Sequence, residues 1–525
     1  MDRQVTRRAA LKGAVASALI AGVGKSASPS PIATTTYGKV RGYRQEDVLF
    51  FKGIRYGADT APTRFMPPRP PTPWADVRDA TEYGPASPQP GATSERTSED
   101  CLFLNIWTPS LKPASRPVMV YIHGGAYARG SGSSPLYEGT NLCKRGDVVV
   151  VTLNHRLSAL GYLYLARLGG NTFADSGNAG ILDLVLALQW IRDNIAQFGG
   201  DPGNVMLFGQ SGGGAKIATL MSMPAAQGLL HRAATMSGQQ LTASGPLNAT
   251  TRATTYLDAL RLPAARIEEI RTLPVEKLLM ALDVTDPIIG RGSLYFGPVL
   301  DDRTLTRHPF YPDAPAISRH VPMIVGNTHD ETRSLIGQND PSTFSLTWDQ
   351  LPARLLPEMR VDINPDRVVA EYRRLYPNYS PSDVFFAATT ASRSWRAAIV
   401  EAELRAQQGS PVFAYQLDWK SPLDGGKWGA RHEIDIPLVF GTLDKPGSIT
   451  GTDESARIMS AHMSDAFIAF ARTGDPNTPS IPKWMPYTLP RRATMVFNVP
   501  SQLVDDPRGA ERQLFATVPF IQQGT

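Results

Sequence analysis

The pentapeptide Gly209-Gln210-Ser211-Gly212-Gly213 constrains this chain more than any other segment. It follows the apolar run Val205-Met206-Leu207-Phe208, which reads as a buried strand. It precedes a small-residue stretch, 214–220, that reads as a helix. A serine held between a strand and a helix sits in a tight, strained turn, and the positions two before and two after it have no room for a side chain. Gly209 and Gly213 meet that demand, because a Cβ at either would clash with the adjoining strand or helix. Strand, turn and helix in this order make a nucleophile elbow with Ser211 as the candidate nucleophile.

Periodicity along the rest of the chain supplies the frame for such an elbow. Residues 118–122 and 148–153 are continuous apolar runs rich in β-branched side chains, and 205–208, 233–236, 321–325 and 412–417 are further short buried strands. Continuous rather than alternating runs imply strands covered on both faces. Between them, 180–198 carries Ile181, Leu184, Val185, Leu188, Ile191 and Ile195 at helical spacing and is ended by Gly199-Gly200 and Pro202. Residues 34–44 alternate and read as an early hairpin, and the Pro-rich 64–74 reads as an irregular covering segment. Strands alternating with helices predict an α/β fold with a doubly wound, mainly parallel sheet. The region around 240–410 has several helical patterns and one core strand, so it reads as helical insertions over the carboxyl edge of the sheet, where open α/β sheets bind ligands.

At 525 residues, length alone would suggest about three domains. The chemical motifs are spread along the whole chain and must meet in one site, so residues 29–525 are read as a single domain. Of the net charge of +5, all but about one unit lies in the first 25 residues, where Arg3, Arg7, Arg8, Lys12 and Lys25 face Asp2 alone. Nothing in the remainder argues for a nucleic acid or another anionic partner. The charged start and the short apolar run 13–24 read as a signal peptide over residues 1–28, too short to span a membrane. Thr6-Arg7-Arg8-Ala9-Ala10-Leu11-Lys12 resembles a twin-arginine export motif, with Ala10 where a bulkier apolar residue is usual. Export, periplasmic or secreted, is the expected destination. Elsewhere no run reaches the roughly 18 to 20 apolar residues a spanning helix needs. Two cysteines, Cys101 and Cys143, make no disulfide framework and are expected to be buried free thiols. No Cys/His cluster has metal-ligand spacing and no Gly-rich phosphate cradle follows a strand, so no cofactor or metal is expected.

A serine hydroxyl is a weak nucleophile. It needs a neutral imidazole to take its proton, a carboxylate to orient that imidazole, and backbone donors aimed at the developing oxyanion. In this architecture the order along the chain is serine, acid, histidine. His123-Gly124-Gly125-Ala126 follows a strand well before Ser211, so the N–H groups of Gly124 and Gly125, with that of Gly212, are the candidate oxyanion hole. Among eight histidines, order and position favour His432, shortly after the strand at 412–417. His329 competes with it, while His123 belongs to the oxyanion turn and His155 and His462 read as structural. After the strand at 321–325 come Asp330 and Glu331, and either carboxylate could serve as the acid.

The chain resembles the type-B carboxylesterases, the α/β-hydrolase family that includes carboxylesterases, cholinesterases and bacterial para-nitrobenzyl esterases. The resemblance runs from about Thr36 to Phe497. It rests on Glu99-Asp100-Cys101-Leu102-Phe103-Leu104-Asn105-Ile106-Trp107, on Phe198-Gly199-Gly200-Asp201-Pro202 leading into the elbow, on Phe296-Gly297-Pro298-Val299-Leu300-Asp301, and on Phe470-Ala471-Arg472-Thr473-Gly474-Asp475-Pro476. It implies the α/β-hydrolase fold. It selects Glu331 as the acid of an Asp-Glu pair and His432 as the histidine of a Gly-Ala-x-His motif. It also implies supporting ion pairs Arg64–Glu99 and Arg156–Asp183. Gln210 stands where Glu is usual, Gly212 where Ala is common, His155 where Tyr is common and Thr332 where Gly is common, and Cys101 lacks an upstream partner.

The expected activity is hydrolysis of a small-molecule carboxylic ester through an acyl-enzyme with a Ser-Glu-His triad. The same constellation would serve an amide, carbamate or lactone. From a different class comes a non-catalytic binding protein on the same fold. Such relatives usually lack the serine or the histidine, and this chain keeps both.

Overall fold

Strands that are apolar at every position fold only where both faces can be covered, and the chain is built around one such sheet. The computed structural model describes residues 30–91, 93–522 and 524, and the leader read at 1–28 lies outside them. Eleven strands form the main sheet: β1 (Tyr43–Gln45), β2 (Val48–Arg55), β3 (Phe103–Thr108), β4 (Arg116–Ile122), β5 (Val149–Leu153), β6 (Gly200–Gln210), β7 (Arg232–Met236), β8 (Met323–Thr328), β9 (Val412–Leu417), β10 (Ala493–Phe497) and β11 (Gln502–Asp505). Their order is β11-β10-β9-β8-β7-β6-β4-β5-β3-β2-β1. All neighbours from β10 across to β5 pair in parallel, and the remaining edge strands are antiparallel to their neighbours. The sheet is mainly parallel and carries the α/β-hydrolase fold.

Side chains alternate across a strand, so each central strand feeds two cores. On β4, Val118, Val120 and Ile122 enter one apolar cluster while Met119 and Tyr121 enter the other. On β6, Val205 and Leu207 part from Met206 and Phe208 in the same way. The first face is covered by α1 (Ala179–Asn194), α2 (Gly212–Leu220) and α3 (Arg396–Gln407). The second is covered by α4 (Glu454–Thr473), through Met459, Met463, Phe467 and Phe470. Helix α4 starts where the Asp453 side chain accepts from Ala456 N at 2.8 Å and stops at Gly474, whose φ of 82° is left-handed.

Each strand expected at 118–122, 148–153, 205–208, 233–236, 321–325 and 412–417 is present, as β4 to β9. The early hairpin is present as Ile32–Thr35 paired antiparallel with Gly38–Arg41, in a small separate sheet. Strands β2, β3, β10 and β11 and helix α4 were not among the expectations. In β2 the apolar pattern is interrupted by Lys52-Gly53, where the register shifts between Phe51 and Ile54. The inserted region has an apolar cluster of its own, in which Leu351, Leu355, Val368, Tyr372, Phe385 and Trp395 pack together with Phe515 from near the end of the chain.

Both supporting ion pairs are formed. Arg64 meets Glu99. Arg156, just after β5, lies 2.6 Å from Asp183 on α1, with the two side chains 2% and 0% exposed. Asp183 also accepts from Arg156 N at 2.9 Å, and the guanidinium reaches Met66 O at 2.8 Å, so every charge in this junction is hydrogen-bonded. Cys101 and Cys143 are buried and free, and burial pushes both thiols up. Removing one partner of a buried, fully bonded pair leaves the other charge stranded. Asp183→Ala is therefore expected to lower stability by about 3–5 kcal/mol, measured from urea unfolding midpoints. A midpoint equal to that of the wild type would show that this junction contributes nothing.

Candidate active site

Strand β6 ends at Gln210 and helix α2 begins at Gly212, so Ser211 alone makes the turn. Its backbone is left-handed, at φ 55° and ψ −126°, a conformation that costs a non-glycine residue on the order of 1–3 kcal/mol. The neighbours hold it there. A Cβ at Gly209 would lie 2.7 Å from Ile122 O at the end of β4, and one at Gly213 would overlap that same oxygen. Ser211 N donates to Met236 O at the end of β7 at 2.8 Å. The serine is thus fixed between the ends of two flanking strands.

The turn after β4 presses on the elbow. Gly124 approaches Ser211 so closely that a Cβ there would be 3.3 Å from the serine's own Cβ. Gly125 and Ala126 both have positive φ, 79° and 52°. Gly124 and Gly125 shape the turn, while Ala126 and Gly212 face a pocket of about 190 Å³ that Ser211 also lines. A Cβ at Gly212 would overlap Ala126 O. That accounts for glycine where alanine is common.

The turn is drawn inward by a residue the sequence reading did not single out. Lys216 lies one turn into α2 and is fully buried, and its Nζ donates to His123 O at 3.0 Å and Ala126 O at 2.8 Å. Burial pushes its pKa down to about 7. The available signal was a lysine inside a run of small and apolar residues. Beside it, the rings of His123 and His155 stack with centroids 4.8 Å apart. Burial, then the charge of Lys216, pushes His123 down to about 3 and His155 well down, so both rings are neutral.

The acid and the histidine come from the ends of β8 and β9. Glu331 opens the short helix Glu331–Leu335 and is fully buried. Its Oε1 accepts from Thr328 N at 3.0 Å and Asn327 Nδ2 at 3.3 Å, and its Oε2 accepts from His432 Nδ1. Asp330 turns away, to His329 Nδ1 at 3.2 Å and Ala430 N at 2.9 Å. Of the two carboxylates left open by residue chemistry, Glu331 is the one against His432. His462 sits on α4 beside Ser501, 3.1 Å away.

Burial acts to lower the pKa of His432, but the charge and hydrogen bond of Glu331 outweigh it, and the net shift is upward. Burial likewise acts to raise Glu331. The charge and hydrogen bond of His432, with further donors, reverse this and hold it below its ordinary value. Gln210 is buried with its Nε2 3.3 Å from each ring nitrogen of His432. Ser211 and His432 line the same pocket. Among the described residues no three His, Cys, Asp or Glu side chains gather as metal ligands would.

Comparison with known proteins gives one consistent result. The model of the carboxylesterase family matches residues 29–515. The para-nitrobenzyl esterase of Bacillus subtilis (strain 168) is 35% identical over 502 residues, covering 92% of this chain and 98% of that protein. The phenmedipham hydrolase of Pseudarthrobacter oxydans is 34% identical, covering 89% of this chain and 94% of that protein. A crystal structure of the carboxylesterase of Geobacillus stearothermophilus superposes with a TM-score of 0.83 at 38% identity, covering 92% and 99% of the two chains.

The contact between Gln210 and His432 makes the charge at position 210 a control on the ring. Gln210→Glu places a second carboxylate beside the imidazole and is expected to move the pKa of His432 further up. Ring titration by NMR with ¹³C-labelled histidine, assigned with a His432→Asn control, reads the shift. An unchanged midpoint would mean that position 210 does not act on the ring electrostatically.

Proposed function

The chain belongs to the carboxylesterase family and is a carboxylic-ester hydrolase, and from that premise we propose that it works through an acyl-enzyme with Ser211 as nucleophile, His432 as general base and Glu331 as orienting acid. The observation that carries this reading is the hydrogen bond from His432 Nδ1 to buried Glu331, with His432 and Ser211 lining one pocket.

Ser211 Oγ attacks the ester carbonyl carbon while its proton passes to His432 Nε2. Glu331 holds the ring by its other nitrogen and stabilises the imidazolium. Negative charge grows on the carbonyl oxygen, and backbone N–H groups of the Gly124, Gly125 and Ala126 turn, with that of Gly212, bind it. Lys216 keeps this turn against the elbow. The intermediate collapses, the alcohol leaves with the proton from His432, and water repeats the sequence on the acyl-enzyme. A small-molecule ester is the substrate. The leader at 1–28 supports export through the twin-arginine pathway to the periplasm or beyond.

A fluorophosphonate probe is expected to add one equivalent at Ser211 and none in Ser211→Ala. Glu331→Gln is expected to lower kcat on the order of 10³ to 10⁴, whereas Asp330→Asn is not. The reverse pattern would exchange the two carboxylates. Because the neutral ring is the base, kcat/KM falls as pH drops through the pKa of His432. That pKa is raised, so the acid limb should lie above the ordinary histidine value of about 6.5, and it should move down in Glu331→Gln. An acid limb below that value in the wild type would contradict the dominance of Glu331 over burial. Substantial turnover in His432→Ala would point to His329 or another ring as the base. A panel of p-nitrophenyl esters with anilide, carbamate and lactone counterparts measures which acyl bonds are cut.

Exchange of Arg7-Arg8 for Lys-Lys is expected to stop export. Unchanged export of that variant would leave general secretion as the route.

A further inference from the structure

The segment 518–524 follows the helix Gly509–Phe515 and runs along the site rather than away from it. Phe520 and Gln522 line the Ser211 pocket, while Ile521, Gln522 and Gly524 line a larger cavity of about 830 Å³. Gln522 lines both, so the segment lies along the boundary between the two. Irregular backbone outside helices and sheets is poorly ordered unless something ties it down. This segment is tied at three places, each to a different part of the chain. Phe520 pairs with Val361 in an antiparallel bridge, and Ile521 N donates to Arg360 O at 2.9 Å. Gln522 Oε1 accepts from Leu241 N at 3.0 Å. Gly524 O accepts from Arg252 Nη1 at 3.0 Å, and buried Arg252 is itself held 2.7 Å from buried Asp286. That carboxylate also accepts from Ile288 N and Ile289 N at 2.9 Å and from Tyr295 N at 3.0 Å. A Cβ at Gly524 would overlap the Tyr295 ring, so the backbone here packs directly on a side chain that lines the Ser211 pocket. The Phe520 ring packs against the apolar cluster on the first face of the sheet.

We propose that the segment 518–524 is a size-limiting wall of the substrate pocket, with Phe520 as the specificity-determining residue that sets how large a part of the ester fits beside Ser211. A group that outgrows the inner pocket meets the Phe520 ring. The ring is bulky, and its backbone is bonded on one side to the 360–361 segment and followed by two further ties, so it cannot yield without breaking them. In a closely packed pocket, one methylene more or less is enough to discriminate between substrates. The proposal rests on Ser211 as nucleophile. The limited group belongs to the acid half of the ester or to the alcohol half, and the two are separable by experiment. A purely structural role, in which Phe520 only fills the apolar cluster, would affect all esters alike.

The test measures kcat/KM on the full chain for two pairs that differ in size: p-nitrophenyl butyrate against p-nitrophenyl octanoate, and phenyl acetate against 1-naphthyl acetate. Active enzyme is counted by fluorophosphonate titration, so a loss of folded protein does not enter the comparison. The wild type is expected to favour the smaller member of at least one pair. In Phe520→Ala the large-to-small ratio of that pair is expected to rise about tenfold or more. The pair that responds tells whether the acid or the alcohol half lies against the ring. A wild type indifferent to size in both pairs would overturn the proposal. So would equal losses on both members in Phe520→Ala, in favour of the structural role. Phe520→Leu, which keeps an apolar side chain in the cluster, is expected to shift the ratio in the same direction by less, and it reads the same outcome where Phe520→Ala does not titrate. A chain ended after Pro519 removes the wall outright, and an unchanged ratio in its titratable fraction would also overturn the proposal. Ester hydrolysis by a wild type that the probe does not label would instead overturn the Ser211 reading, and the wall beside it with that reading.

Discussion

The close contact between the elbow and the end of β4 is the constraint on which the site depends. Ile122 O lies where side chains at 209 and 213 would otherwise be, so β6 can turn into α2 at this point only with bare backbone on both sides of Ser211. That contact sets the serine in its left-handed conformation. It also brings the Gly124–Gly125–Ala126 turn against it, because the turn is the direct continuation of β4. The parallel pairing of β4, β6, β7, β8 and β9 then lines up the ends of the strands that carry the remaining groups. Met236 O at the end of β7 fixes Ser211 N, Glu331 follows β8, and His432 follows β9. The geometry of the site is inherited from the sheet.

Burial of charge is the second theme. Arg156–Asp183 is fully bonded and supports the fold just after β5, the strand beside β4. Lys216 is buried against two backbone carbonyls, burial lowers its pKa, and burial, then the charge of Lys216, lowers those of the two stacked histidines beside it. Glu331 and His432 are buried against each other, and their mutual attraction outweighs desolvation in both. Asp435 lies close by, donated to by Tyr415 at 2.8 Å, and burial raises it to about 7. Each of these groups tolerates a low-dielectric surrounding because a specific partner meets it.

Gln210 and Gly212 are departures from the usual family pattern, and both have local physical accounts. Gly212 leaves the space that Ala126 O occupies once Lys216 holds it. Gln210 keeps an uncharged amide beside His432, so that Glu331 is the carboxylate bonded to the ring. The inserted region, with its own apolar cluster, brings Arg360 and Arg393 to the same pocket from far along the chain.

The sequence by itself determined what depends on short-range constraints. Continuous apolar runs located β4 to β9, the glycines around Ser211 located the elbow, and position along the chain favoured His432. These are effects of sterics, φ preference and periodicity, which act over a few residues. Between Asp330 and Glu331 residue chemistry left a tie that resemblance broke and the fold expresses as a direction, since adjacent residues at a helix start point opposite ways. The tertiary structure alone decided the balance between burial and Glu331 at His432, the role of Lys216 under the turn, and the arrival of Arg360 and Arg393 at the pocket of Ser211. Each of these depends on which groups distant in the chain become neighbours and how much water they lose, and neither quantity is encoded in any local pattern.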